Sequence, residues 1–242
     1  MNDTRKPRLR WYQFTLRSLF IVMFLACIGM SWVSVKMQRA RRQREAVDAI
    51  EKVGGAVFYD YEFDSAGVPT PGVEPSSPKW LRSVLGDDFF ANVVSVVLDS
   101  TEVTDAGLEH LWGLTQLHTL SLHSTHVTDA GLKHLKGLPQ LRQLWLNNTQ
   151  VTDVGLEYLT GLTQLQQLVL SDTQMTDAGL EHLTGLTQLQ NVSLGNTQVT
   201  DAGLEHLKGL TRLRYLSLDS TQVTDAGVKR LKQTLPKCKI LH

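Results

Sequence analysis

Histidine, serine and aspartate, the side chains that most often carry acid–base and nucleophilic chemistry, recur throughout this chain. Three histidines lie close together, but the spacing of His118, His123 and His126 matches no helical zinc motif. The sequence contains no G-x-S-x-G, no P-loop, no G-x-G-x-x-G and no H-E-x-x-H. These residues therefore predict no catalysis, no metal site and no cofactor. Four other histidines share one repeated position: His110, His134, His182 and His206.

Internal repetition explains why such residues recur. From Val103 the sequence repeats every 24 residues, through five full copies and a shortened sixth. Around Leu120, apolar and polar residues alternate as in a strand, whereas Leu132, Leu135 and Leu138 return every three residues, as on one side of a short helix. Because one strand–helix unit cannot bury its own leucines, the copies are expected to stack into a solenoid.

The pattern predicts an α/β leucine-rich repeat solenoid of 24-residue strand–helix units, with a parallel sheet on its concave face. We expect Thr128 or Asp129 to cap a helix, and Gly137 to end it in a left-handed conformation. A glycine column is expected to permit close packing where helix meets turn: Gly107, Gly131, Gly155, Gly179, Gly203 and Gly227. A threonine column is expected to bond the turn backbone: Thr101, Thr125, Thr149, Thr173, Thr197 and Thr221.

The repeats, over about residues 93–242, resemble those of F-box proteins, where L-x-x-L-x-L-x-x-C is followed by I-T-D-x-G-L-x-x-L. Here Thr replaces that Cys, and no F-box-like segment precedes the repeats, so a ubiquitin-ligase role does not carry over. From about Trp11 onward, the chain resembles bacterial single-pass membrane proteins with an FTLRSLF start and T-D-x-G-L repeats. That resemblance implies a membrane location and protein binding.

The net charge of zero conceals two oppositely charged parts. Residues 1–53 hold 11 Lys/Arg against 4 Asp/Glu, whereas residues 54–242 hold 13 against 20. An acidic repeat region lacks the basic stripe that nucleic acid requires, so nucleic-acid binding is not expected.

Residues 18–35 are uncharged and would span about 27 Å as a helix, close to the roughly 30 Å of a bilayer core. Trp11, Tyr12 and Trp32 fit an aromatic belt. The alternatives are a cleaved signal peptide or a lipoprotein cleavage site at Cys27. We expect an uncleaved, single-pass anchor in a bacterial inner membrane. Five basic residues flank each side, so the charge balance does not decide orientation; we expect the repeats to lie outside the cytoplasm.

The predicted organisation has five parts. Residues 1–17 form a basic tail, 18–35 the transmembrane helix, and 36–53 a juxtamembrane basic helix whose arginines meet anionic head groups. Residues 54–92 form a linker and N-terminal cap, including a helix from Pro78 that Gly86 ends. Residues 93–242 form the repeat domain.

The outward strand positions should line the concave face, and they vary between copies. Trp145 is the expected anchor, because a large aromatic on a small polar surface is typical of binding sites. The predicted ligand is a protein or peptide, with no small-molecule substrate. The alternative is an envelope-organising scaffold that self-associates or binds glycan. The remaining predicted contact residues are Tyr215, His123, Asn147, Asp219, Arg142 and Arg214.

Overall fold

A computed structural model describes residues 16–63, 70 and 73–242. Most of the predicted basic tail, with Trp11 and Tyr12, lies outside the described residues. So do residues 64–69 and 71–72 of the predicted linker. The chain divides into two compact units, Met1–Gln38 and Arg39–His242.

The first described element is a long helix, α1, which covers Leu16–Lys52. Its apolar part has a mean hydropathy of 2.0 over an 18-residue window, and none of that window is buried within the protein. By length and composition this helix could cross a membrane. A signal sequence near the N-terminus has the same length and composition. The helix continues without a break through residues 36–52, which the sequence predicted to form the juxtamembrane helix.

The second unit begins with the end of α1, which packs on the first repeat. Ala46, Val47 and Ile50 are buried and join the leucine core. The side-chain amide of Gln43, 5 % exposed, donates to Asp88 Oδ1 and to the carbonyl of Ala91, both at 3.0 Å. The side-chain oxygen of Gln43 accepts a hydrogen bond from the backbone N–H of Val93 at 3.1 Å. The end of α1 is therefore part of the N-terminal cap.

Two arginines that were expected to face lipid head groups instead contact the first repeat and the cap. The guanidinium of Arg42 lies 4.7 Å from the ring centroid of Trp112, and Arg44 Nε lies 3.1 Å from Asp88 Oδ2. After α1, Gly54 adopts a φ of +81°. The cap continues with β1 (Ala56–Tyr59), a 3-10 turn (Asp60–Glu62), α2 (Lys79–Leu85) and a 3-10 turn (Asp87–Phe89). Gly86, at a φ of +82°, ends α2 as predicted.

The described strands form one sheet in chain order. β1 is antiparallel to β2, and each following pair is parallel, as the repeat predicted. The parallel strands are β2 (Val93–Val97), β3 (Thr119–Ser121), β4 (Gln143–Trp145), β5 (Gln167–Val169), β6 (Asn191–Ser193), β7 (Tyr215–Ser217) and β8 (Lys239–Leu241).

Short helices follow the strands: α3 (Asp105–Leu108), α4 (Asp129–Leu132), α5 (Asp153–Leu156), α6 (Asp177–Glu181), α7 (Leu204–Leu207) and α8 (Asp225–Thr234). Three continue as 3-10 turns at Glu109–Gly113, Lys133–Gly137 and Glu157–Leu159. The leucines of strands and helices meet in one buried cluster. The chain is therefore an α/β leucine-rich repeat solenoid.

The threonine column bonds its own turn, as predicted. Each threonine hydroxyl donates to the carbonyl three residues earlier, at 2.5–2.8 Å. The left-handed terminator predicted at Gly137 is wrong, since among described residues only Gly54 and Gly86 are glycines with positive φ. The left-handed residue in each repeat instead precedes the threonine: Ser100, Ser124, Asn148, Asp172, Asn196 and Ser220.

A carboxylate joins each repeat to the next. Asp153 Oδ1 accepts from the backbone N–H of Thr176 at 2.8 Å, and its Oδ2 accepts from that hydroxyl at 2.5 Å. A Cβ added at Gly179 would clash with Asp153 Oδ1 and with the methyl group of Met175. The aspartate of the preceding repeat would likewise be met at Gly131, Gly155, Gly203 and Gly227, whereas a Cβ at Gly107 would meet Val103. The same pair of bonds recurs at Asp105, Asp129, Asp177 and Asp201. We call this row the Asp–Thr ladder.

Candidate functional site

The parallel register places outward residues from successive strands side by side. Trp145 pairs with Ser121 on one side and with Val169 on the other. Because strand residues alternate between faces and Leu144 and Leu146 are buried, Trp145 points away from the leucine core. It is partly exposed on the concave face.

Trp145 borders an open depression of about 420 Å³, which we call the Trp145 depression. The structure brings three of the predicted contact residues together there: Trp145, His123 and Asn147. Sequence reasoning did not select the others, although Asp99 stands in the same outward column as His123 and Asn147. The remaining lining residues are Val97, Asp99, Thr119 and Ser121.

Hydrogen bonds hold the polar residues of the Trp145 depression in a row. Asp99 Oδ1 accepts from the backbone N–H of His123 at 3.1 Å and from the hydroxyl of Ser121. His123 Nδ1 lies 2.5 Å from Asn147 Nδ2, and its Nε2 lies 3.2 Å from Ser124 Oγ. Among the described residues no donor reaches Asp99 Oδ2, so this oxygen can accept from a ligand.

The hydrogen bonds of this row differ from those of a Ser–His–Asp triad. In a Ser–His–Asp triad the serine hydroxyl donates to histidine, which in turn donates to the carboxylate. Here the Ser121 hydroxyl donates directly to Asp99. Within the described part of the chain, no group of three His, Cys, Asp or Glu side chains is placed to hold a metal ion.

Arg142 lies in a second depression, of about 490 Å³, between the cap and the first repeats. Asp60 and Phe63 of the cap line it together with His118, which was not among the predicted contact residues. Burial lowers the pKa of His118 below its usual 6.5, and the positive charge of Arg142 lowers it further. An uncharged imidazole therefore lies beside the guanidinium at neutral pH.

The other predicted residues lie near the C-terminal end of the sheet. Tyr215 is on β7, three strands from Trp145 in the sheet order, so the strand spacing alone separates them by about 14 Å. The hydroxyl of Ser217 donates to Asp219 Oδ2 at 2.6 Å. Arg214 lines a third depression, of about 580 Å³. The predicted contact residues therefore occupy three regions of the face.

The repeat fold agrees with a protein-family model. A family model described as leucine-rich repeats (two copies) matches residues 115–158. No curated protein matches the chain. A solved leucine-rich repeat protein of Leptospira interrogans is 26 % identical, with a TM-score of 0.47 over 55 % of this chain and 33 % of that one. Internalin C2 of Listeria monocytogenes is 27 % identical, with a TM-score of 0.48 over 67 % of this chain and 79 % of that one. The chain thus spans about a third of the Leptospira protein.

Proposed function

We propose that this chain is a membrane-tethered leucine-rich repeat module that binds a protein or peptide on its concave face. The observation that carries the proposal is the Trp145 depression, where a partly exposed indole lies beside a row of fixed polar groups. The module acts by binding and not by catalysis.

The depression combines two properties that favour peptide recognition. The indole of Trp145 offers a large apolar surface, and tryptophan is among the residues most often found at the centre of protein interfaces. Asp99 and His123 are already hydrogen-bonded in place, so little side-chain entropy is lost when a ligand binds. The free Asp99 Oδ2 can accept from a peptide N–H or from a basic side chain.

The apolar part of α1 supports the membrane tether. Leu19 through Val35 expose their side chains, including Phe20 and Phe24 at 62 % and 67 %. Exposing a continuous apolar helix to water is unfavourable, whereas lipid accommodates it. Basic residues follow it at Arg39 and Arg41. We infer a single-pass anchor in a bacterial inner membrane, with the repeats outside the cytoplasm.

A peptide library tests the binding face. Phage-displayed random peptides are selected against the purified full chain in detergent, and enriched peptides are then measured by fluorescence anisotropy. Trp145→Ala should weaken binding about tenfold or more, as is typical of an interface hot spot. The matched control is Trp80→Ala, since Trp80 is 69 % exposed on α2. If the enriched peptides bound both variants equally, the site would be refuted. If the chain bound only glycans, tested in parallel on a glycan array, the scaffold hypothesis would be favoured.

Protease access tests the tether and its orientation. A C-terminal tag should be degraded in bacterial cells whose outer barrier alone has been opened. Protection until the inner membrane is lysed would place the repeats in the cytoplasm. Release of the tagged chain into the soluble fraction would instead indicate a cleaved signal sequence.

A further inference from the structure

One repeated position changes character at the C-terminal end of the solenoid. In four successive repeats, the residue before the leucine that leads into the strand is glutamine: Gln116, Gln140, Gln164 and Gln188. In the next repeat this position is Arg212, and in the last repeat it is Lys237, which precedes Cys238 in place of the leucine. Repetition therefore does not explain these two cations.

The structure gathers these cations in one place. Arg212, Arg214 and Lys237 line the depression of about 580 Å³, which we call the basic groove. Lys239 stands beside it, in register with Tyr215 on the neighbouring strand. All four basic side chains are exposed. The guanidinium of Arg212 is oriented by a hydrogen bond to the side-chain oxygen of Gln188.

The charge of the basic groove is uncompensated. Among the described residues none of its cations forms an ion pair, whereas Lys208 pairs with Glu205 and Arg230 with Asp201. The acidic groups of the concave face lie at the opposite edge, where the strands end: Asp99, Asp172 and Asp219 are all exposed. The face is thus basic at one edge and acidic at the other.

We propose that the basic groove binds an acidic segment of the partner polypeptide. The inference rests on the proposed function and adds the chemistry of the partner at a second position, remote from Trp145. Guanidinium groups bind carboxylates through two parallel N–H···O bonds, and Arg212 and Arg214 offer two such groups. Tyr215 is partly exposed on the adjoining strand and provides a surface for a neighbouring apolar side chain.

A designed peptide tests this proposal on the full chain in detergent. A short fluorescent peptide of alternating Glu and Ser should bind, and its Gln-for-Glu counterpart should not. The substitutions Arg212→Gln, Arg214→Gln and Lys237→Gln, made together, should weaken binding about tenfold, because each exposed ion pair contributes little alone. Raising the salt concentration should weaken binding to the unsubstituted chain.

The control removes the same charge from elsewhere. Lys133, in the 3-10 turn after α4, and Lys229 and Lys232, on α8, are exposed. Replacing all three by Gln should leave peptide binding within about twofold. If both triple variants lost affinity for the Glu peptide equally, a specific site would be refuted. Tighter binding of sulfated dextran than of the Glu peptide at the basic groove would also refute it. Trp145→Ala should leave binding of the Glu peptide unchanged. Failure of the Trp145 site and failure of the basic groove are therefore distinguishable.

Discussion

The Asp–Thr ladder predicts where the solenoid is most sensitive to a single substitution. Asp153 lies in the middle of the repeat domain and accepts two hydrogen bonds from Thr176, at 2.8 and 2.5 Å. Replacement by alanine removes both acceptors and leaves the backbone N–H of Thr176 without its partner. The leucine core is unchanged, so the substitution tests the contact between repeats.

The expected loss follows from those two bonds. Hydrogen bonds to a charged group contribute about 1.5–3 kcal/mol each when buried, and Asp153 is partly exposed. We therefore expect Asp153→Ala to lower the free energy of unfolding by about 3 kcal/mol. For a domain of this size, that corresponds to a fall in melting temperature of about 6–12 °C.

The assay is thermal and urea unfolding of the purified full chain in detergent, followed by circular dichroism. The matched control is Asp225→Ala, which changes the same repeat position in the last repeat. Asp225 is fully exposed, with His242 Nδ1 3.5 Å from its Oδ1. Its loss should move the melting temperature by no more than about 2 °C. Equal shifts for the two variants would refute the argument that the carboxylate stabilises the solenoid by joining repeats.

Three further outcomes follow from the same structure. Gly179→Ala should destabilise the fold by about 1–3 kcal/mol, because its Cβ would displace both the carboxylate of Asp153 in the preceding repeat and the methyl group of Met175. Gly185→Ala should not destabilise the fold, because nothing lies within 4 Å of the added Cβ. The free energies of unfolding of the two variants are compared by urea titration. Gln43→Ala should cost about 2–4 kcal/mol by leaving buried backbone groups unpaired, whereas exposed Arg41→Ala should be neutral in the same experiment. Bonds from the Thr224 backbone and hydroxyl, and then from Arg230, lower the pKa of Asp201 below its usual 3.8. The stabilisation by Asp201 is therefore present above pH 3.8 and is lost as the pH falls through the folded pKa. In Asp201→Asn the melting temperature should depend less steeply on pH in acid, and an unchanged slope of melting temperature against pH would contradict this.

The sequence alone determined the repeat fold. The leucines and the threonine column recur every 24 residues, and only a stack of equivalent strands buries them all. The outward columns follow from the same alternation, so the sequence alone places Trp145 on the concave face. The apolar helix was also readable, because length and hydropathy are local properties of the chain.

The tertiary structure decided how these elements meet. The end of α1 packs on the first repeat because its buried face contacts groups that are distant in sequence. Gln43, for example, bonds Asp88 and the carbonyl of Ala91, and Ile50 joins the leucine core. The Asp–Thr ladder joins residues 23 apart, and its need for glycine appears only when one repeat is placed against the next. The division of the predicted contact residues among three regions of the face also depends on how the repeats stack. A repeat period gives each residue its column, but the distance between columns and the charges that gather along an edge depend on how the strands are stacked in space.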